Sequence, residues 1–169
     1  MNAHMRTTVW YLGIAWALGT ISPVQAHASL DPLACTASTS APRPQTDGPQ
    51  AVLIVLLSPR MPYALQEWPR MASQARRLGF SVHAYRDPRV PEAEWQEAVH
   101  ALQRRDLACT PALELADALQ LKLLHHAPSS AVAWCDRWHD WPILGVMPDA
   151  SWPQLLNHRL EQLKLQDCT

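Results

Sequence analysis

The sequence predicts an α/β domain with a central mixed sheet of about four strands flanked by helices. Three observations support this fold class. Residues 51–57, "AVLIVLL", form a continuous aliphatic run, which is typical of a central strand covered on both faces. The next 50 residues change from helical to extended and back to helical apolar spacing, which predicts a β-α-β unit followed by a helix. The last 40 residues predict two strands and a closing helix.

Two helices and a second strand are predicted in the first half of the domain. The first helix covers residues 62–78, with Pro69 inside it as an expected kink. "FSVHAY", residues 80–85, alternates like a strand and is followed by the loop "RDPRVP". The second helix covers 92–105 and places its apolar residues on one face: Trp95, Val99 and Leu102.

The second half predicts a connecting helix, a hairpin and a last helix. Residues 109–126 have mainly helical spacing, and residues 129–148 predict two strands around a turn at Asp136-Arg137. Residues 149–166 then predict a helix that buries Trp152 and four leucines. These elements, residues 51–169, form the predicted domain.

The N-terminal residues have the layout of a secretory signal peptide. Arg6 gives a positive n-region and Thr7–Ile21 an apolar h-region, with cleavage expected after Ala26 or Ala28, so residues 1–28 are assigned to it. An uncleaved anchor is the alternative, although the apolar stretch is short for a spanning helix. Residues 29–50 are rich in Pro, Ser and Thr and predict a flexible lead-in. The protein is therefore expected to be periplasmic or secreted, in a bacterium.

The charge balance excludes two classes of partner. Without Arg6 the chain has 13 basic and 15 acidic side chains, a net charge of −2. Such a surface does not attract nucleic acid or an anionic membrane. We therefore expect no nucleic-acid partner, and no membrane contact once the signal peptide has been removed.

All four cysteines lie in the exported part: Cys35, Cys109, Cys135 and Cys168. In an oxidising compartment an even number of cysteines predicts disulfides, and four cysteines allow three pairings. We expect at least one bond between a terminal cysteine and the body of the domain, with Cys109 as the preferred partner. The alternative is Cys35–Cys168. No two cysteines have the spacing C-x-x-C.

The order of predicted elements resembles the thioredoxin fold over roughly residues 51–165. "VLLSPRM" stands where thioredoxin-like oxidoreductases carry their redox loop, but the position of the C-x-x-C pair reads Ser58-Pro59-Arg60-Met61. Pro69 falls within the helix that follows this loop, where those proteins commonly have a kink. Pro128 corresponds to the cis-proline before the third strand, and Gly145 to a glycine before the last helix.

The resemblance implies a scaffold without the family's redox chemistry. In the oxidoreductases a thiolate at the helix N-terminus is the reacting species. Ser58 has no redox couple and Met61 cannot close a disulfide. Nothing in the sequence provides a base for Ser58 as a nucleophile, so we expect Ser58 to cap the helix and Pro59 to occupy its first turn.

No metal site or cofactor is predicted. "WCDRWHDW" contains Cys135, Asp136, His139 and Asp140, and His125-His126 lies nearby, but neither set has the number and spacing of ligands that zinc requires.

A protein-binding role is the preferred functional interpretation. The resemblance implies a cis Ala127-Pro128 bond facing residues 58–61, with the N–H and C=O of Ala127 available to an incoming strand and Trp138 or Trp141 beside them. The alternative at Pro128 is a trans proline that ends the preceding helix. We expect the partner to be another exported protein or a peptide segment, in an assembly role such as that of the thioredoxin-like factors of conjugative transfer or another envelope system. The competing hypothesis is a thiol-dependent oxidoreductase that uses Cys109 or Cys135.

Overall fold

The computed structural model describes residues 39–41, 50–135 and 137–165, all within one compact unit, Pro32–Thr169. The predicted signal peptide and most of the lead-in lie outside these residues, so those assignments stay predictions. None of the helices in the described ranges is long and apolar enough to cross a membrane. The elements are β1 (Ala51–Leu57), α1 (Pro62–Arg77), β2 (Ser81–Arg86), α2 (Glu92–Ala101), α3 (Leu115–Gln120), β3 (Ser129–Trp134), β4 (Arg137–Trp138), β5 (Ile143–Leu144) and α4 (Ser151–Lys164).

The strands form one mixed sheet in the order β2-β1-β3-β4, and β5 also pairs with β3. β1 is parallel to β2 and antiparallel to β3, with Leu56 opposite Ser129. All seven residues of β1 are buried, as expected for a central strand. The predicted fold class, a mixed sheet flanked by helices, is confirmed.

One face of the sheet, which we call the helix-covered face, packs against α1, α2 and α4. β1 contributes alternate residues from Ala51 to Leu57 to this core. Trp95 of α2 and Trp152 of α4 are both 0% exposed. Their indole N–H groups donate to the carbonyls of Leu107 (3.2 Å) and Met71 (3.1 Å), so burial leaves neither donor unpaired.

The opposite face is covered more thinly, by α3 and a 3₁₀ turn at Leu123–His125. Part of the lead-in is attached here. Tyr85 donates to the carbonyl of Ser40 (2.9 Å), and the amide of Ala41 donates to Asp117 (2.7 Å). The lead-in is therefore bound to the domain at residues 39–41, which its composition did not predict.

The predicted helix over 109–126 is wrong in its extent. Only α3 and the turn at Leu123–His125 are helical there. Residues 111–113 instead run beside β2, where the amide of Arg86 donates to the carbonyl of Pro111 (2.8 Å). Lys122 has a left-handed conformation (φ 56°), which ends α3. The expected helix is therefore shortened at its start by the pairing of residues 111–113 with β2, and at its end by the left-handed conformation of Lys122.

The second strand of the predicted hairpin is divided into β4 and β5. Trp138 pairs with Ala133, and Leu144 pairs with Ser129, so seven residues of this strand (138–144) oppose five of β3 (129–133). The two extra residues belong to the segment between β4 and β5, which includes Pro142, a residue without an N–H to donate to a ladder. The turn before β4 includes Cys135 in a left-handed conformation (φ 54°).

Candidate functional site

The segment after β1 is a tight turn that precedes α1. Ser58 is buried, and its carbonyl accepts the amide of Met61 (3.1 Å), while its hydroxyl accepts the amide of Arg60 (3.4 Å). α1 begins only at Pro62, with Met61 as the N-cap residue. The prediction that Ser58 caps the helix with Pro59 in its first turn is therefore wrong. Pro62 occupies the first helical position, where its missing N–H costs nothing.

The Ala127-Pro128 peptide bond is cis, which confirms that prediction. Because Leu56 pairs with Ser129, Pro128 lies level with the end of β1, beside the Ser58–Met61 turn. The carbonyl of Pro128 accepts the amide of Gly145 (2.8 Å). Within the described ranges, neither the N–H nor the C=O of Ala127 makes a hydrogen bond. We call this region, residues 58–61 with Ala127 and Pro128, the Ser58–Pro128 end.

Buried polar side chains are concentrated next to this region. In the part of the chain that the structure describes, the buried polar residues are Ser58, Asp87, Ser129 and Ser130, and all four lie near the carboxyl end of β1. The hydroxyl of Ser129 donates to the carbonyl of Leu123 (2.6 Å). The hydroxyl of Ser130 has no hydrogen-bond partner. Buried side-chain polar groups usually have a partner, so Ser130 is one of the exceptions among the described residues.

Asp87 and Arg89 connect the loop after β2 to the segment before Pro128. The Asp87 carboxylate accepts two hydrogen bonds from the Arg89 guanidinium (2.6 and 2.9 Å) and one from the Arg89 amide (2.9 Å). Arg89 also donates to the carbonyl of Leu124 (3.0 Å). Burial alone would raise the pKa of Asp87, but the hydrogen bonds and charge of Arg89 outweigh it and hold this pKa below its usual value. Asp87 is therefore a charged structural group at neutral pH.

The structure does not bring both predicted tryptophans to the Ser58–Pro128 end. Trp138 pairs with Ala133, four residues along β3 from Ser129, which is roughly 13 Å at about 3.3 Å per residue. Trp141 is 66% exposed on the edge of the sheet, with the ammonium of Lys122 4.9 Å from its ring centroid. Trp138 therefore does not lie beside Pro128, and the placement of Trp141 beside Pro128 stays a prediction.

Two exposed apolar side chains stand beside the turn. Met61 is 40% exposed and Tyr63, at the second position of α1, is 59% exposed. Sequence reasoning missed Tyr63. The sequence did contain a signal for its exposure, because Tyr63 lies outside the apolar spacing of α1. A large aromatic residue on the solvent side of a helix is unusual.

His139, one of the residues considered for metal binding, is engaged in other contacts. His139 accepts the amide of Trp141 (3.2 Å), and its other ring nitrogen lies 2.9 Å from both Arg159 and Gln162. No cluster of three or more candidate ligands occurs in the described ranges. Asp136 lies outside them.

The two cysteines of the domain body are not available as nucleophiles. Neither Cys109 nor Cys135 is a free cysteine, and the reactive form of a cysteine is the free thiolate. Cys35 and Cys168 lie outside the described residues, so the pairing of the four cysteines stays a prediction. The competing hypothesis of a thiol enzyme at Cys109 or Cys135 is not favoured.

The strand order, the helix that follows β1 and the cis-proline beside the end of β1 together decide the fold. The fold is thioredoxin-like. No protein-family model matches the sequence, and no curated protein is significantly similar to it.

Similar solved structures include thioredoxin-like thiol–disulfide proteins. The pneumococcal exposed lipoprotein thioredoxin of Streptococcus pneumoniae is 15% identical, over 64% of this chain and 84% of that chain, with a TM-score of 0.49. A thiol:disulfide interchange protein of Chlorobium tepidum is 15% identical over 66% and 80%, with a TM-score of 0.46. The dsbF protein of Mycobacterium tuberculosis is 12% identical over 65% and 81%, with a TM-score of 0.45. The function of the present chain is argued from its own residues.

Proposed function

We propose that this protein is an exported thioredoxin-like domain that acts through protein contacts and not through dithiol exchange. The proposal depends on the Ser58–Met61 turn between β1 and α1. Thioredoxin-like oxidoreductases carry their reactive pair of cysteines in the corresponding loop. A serine hydroxyl is far less acidic than a thiol and has no disulfide state. Ser58 is also buried and accepts the amide of Arg60, so it is a structural part of the turn.

A peptide in extended conformation is the ligand that this region suits best. The N–H and C=O of Ala127 can pair with the backbone of an added strand, which is the usual source of affinity in strand addition. The exposed side chains of Met61 and Tyr63 supply apolar contact next to that backbone pair. We propose that the partner is another exported protein or a segment of one, and that the domain has an assembly role in a conjugative-transfer or other envelope system.

Site-specific photocross-linking in cells tests this proposal. A photoreactive phenylalanine analogue would replace Met61 or Tyr63 in the full chain, and Leu119 as the control. Leu119 is also exposed, but it lies on α3 at the other face of the sheet.

We expect a discrete adduct from position 61 or 63, weakened by Ala127→Pro, which removes the backbone donor, and no such adduct from position 119. Equal labelling at all three positions, or labelling at 119 alone, contradicts the proposal.

A further inference from the structure

We infer that the peptide segment bound at the Ser58–Pro128 end carries a side-chain carboxylate, which Arg60 and Arg89 bind. The inference rests on the proposed function, because it specifies the chemistry of the peptide that this region would bind. The carboxylate belongs to an aspartate or glutamate within the segment. Both arginines are at the surface, and each forms an ion pair within the domain.

In each of these ion pairs the cation faces solvent more than its partner does. The side chain of Arg60 is 63% exposed and that of Glu94 is 38% exposed. The side chain of Arg89 is 48% exposed, whereas that of Asp87 is 5% exposed. An incoming peptide therefore meets a guanidinium at both positions, although each pair is neutral as a whole.

Both guanidiniums have N–H groups that the domain does not use within the described ranges. Arg60 donates to Glu94 through Nε (3.0 Å) and Nη2 (3.3 Å), which leaves its Nη1 without a partner there. Arg89 donates to Asp87 through Nε and Nη2 and to Leu124 through Nη1, so each terminal nitrogen has a second N–H left over. Carboxylates are bound by arginine through such N–H groups.

The loop after β2 brings the two arginines to the same end of the sheet. The amide of Asp87 donates to the carbonyl of Leu57 (2.8 Å), the last residue of β1, and Arg60 lies in the turn that follows this residue. The pKa of Arg60 is raised chiefly by its hydrogen bond to Glu94, and the charges of Asp87 (raising) and Arg89 (lowering) act on it as well. The two guanidiniums are therefore close enough to act on one ligand.

Arg89 also lies within reach of the backbone groups that would pair with the peptide. Its Nη1 donates to the carbonyl of Leu124 (3.0 Å), and Leu124 precedes Ala127 by three residues. Three residues of chain span at most about 11 Å, and an extended strand rises about 3.3 Å per residue. We therefore expect the carboxylate within about four residues of the position that pairs with Ala127.

The segments on both sides of the region carry no charge that opposes an acidic ligand. Residues 58–63 and 122–128 contain no aspartate or glutamate. His125 and His126 are exposed just before Ala127. The carboxylates of residues 86–94 are each paired with an arginine: Glu92 with Arg86, Glu94 with Arg60 and Asp87 with Arg89. Charge complementarity therefore favours an acidic segment over a basic one.

Selection from a phage-displayed library of random peptides tests the inference. The bait is the full chain isolated from the periplasm. The peptides are fused to the phage coat at their carboxyl ends, so aspartate and glutamate side chains are the only carboxylates that they carry. We expect the wild-type chain to enrich peptides with an acidic residue at a fixed distance from an apolar residue.

Paired variants show whether the two arginines cause this preference. Arg60→Gln/Arg89→Gln should bind the selected peptides about tenfold more weakly or worse. Because Arg89 also holds Leu124, Arg60→Gln alone is a second variant that keeps this contact, and it should bind more weakly than wild type. The control is Arg76→Gln/Arg77→Gln, which removes two exposed charges from the other end of α1 and should bind as wild type does. Equal losses in the control and in Arg60→Gln/Arg89→Gln would contradict the inference.

Replacing the acidic residue of a selected peptide by its amide gives a readout that does not depend on the stability of the variants. This change should weaken binding to wild type and leave binding to Arg60→Gln/Arg89→Gln unchanged. Equal weakening in both, or selection by wild type of peptides without an acidic preference, would overturn the inference but leave the peptide-binding role intact. No enrichment by wild type above that of Ala127→Pro would refute the proposed function itself, and the inference with it.

Discussion

The helix-covered face of the sheet and the Ser58–Pro128 end have opposite compositions. On the helix-covered face the side chains are large and apolar, and the indole N–H groups of both buried tryptophans are hydrogen-bonded. Near the Ser58–Pro128 end several buried side chains are polar, and within the described ranges the backbone N–H and C=O of Ala127 make no hydrogen bond. The two regions share β1, so they belong to one folded unit.

This difference shows that packing on the helix-covered face stabilises the domain, whereas the Ser58–Pro128 end has groups available for contact. Truncation of any side chain on a well-packed face lowers the free energy of unfolding, because the cavity that it leaves cannot collapse fully. A polar end with unpaired groups is held in place by the rest of the fold, which is common at binding sites. Substitutions in the two regions should therefore have different effects on the free energy of unfolding.

Truncation of Trp152 should have the largest effect. Trp152→Ala removes a fully buried side chain from α4, together with the hydrogen bond from its indole N–H to the carbonyl of Met71. We expect a loss of about 3–5 kcal/mol in the free energy of unfolding, measured by urea titration. Leu165→Ala, which truncates an exposed residue just after α4, should change stability by less than about 0.5 kcal/mol. Equal effects of the two substitutions would contradict this account of the packing.

Neutralising Asp87 should have an intermediate effect that depends on pH. Asp87→Asn should lower the free energy of unfolding by about 1–3 kcal/mol at pH 7. Because the folded pKa of Asp87 lies below its unfolded value, the carboxylate stabilises the fold above about pH 4. This stabilisation is lost as the pH falls through the folded pKa.

The pair Arg104–Asp106 is the control, with the same spacing in sequence and an exposed carboxylate that is paired with a largely buried guanidinium. Asp106→Asn should cost less than about 1 kcal/mol. The difference in the free energy of unfolding between wild type and Asp87→Asn should decrease in strong acid. The same difference at pH 7 and in strong acid would show that the charge of Asp87 does not stabilise the fold.

The adjacent serines of β3 should respond in opposite directions. Ser129→Ala removes the donor to the carbonyl of Leu123 and should lower the free energy of unfolding by about 1 kcal/mol. Ser130→Ala removes a hydroxyl without a partner and should leave stability unchanged or raise it by up to about 1 kcal/mol. Chemical denaturation of both variants at one pH checks this, and losses of similar size would mean that Ser130 has a partner in solution.

The strands and helices that local pattern specifies were predictable. The aliphatic run of β1 and the apolar spacing of α1 and α4 gave their positions to within a few residues. The segment 109–126 was mispredicted because residues 111–113 pair with β2, a contact between distant residues that overrides helical spacing. The position of Trp138 depends on a bulge in the outer strand, which alternation alone does not reveal.

The sequence predicted only those site residues that the resemblance to the thioredoxin fold identified by position. It identified residues 58–61 and the cis bond at Pro128. It gave no indication of the Asp87–Arg89 pair, because that pair depends on contacts in three dimensions, whereas the exposure of Tyr63 could have been inferred from its position outside the apolar spacing of α1. Charged and aromatic residues in a loop or on a helix surface have no periodicity from which such contacts could be inferred.

Reduction of insulin by dithiothreitol, followed by turbidity, tests the central claim most directly. The purified domain would be compared with a variant in which all four cysteines are serine and with a catalytically active thioredoxin. Because Ser58 and Met61 occupy the position of the reactive pair, we expect the domain and its cysteine-free variant to give the same rate, equal to that of dithiothreitol alone. A rate for the domain above that of its cysteine-free variant would contradict the account, since it would show that a cysteine of this chain exchanges disulfides.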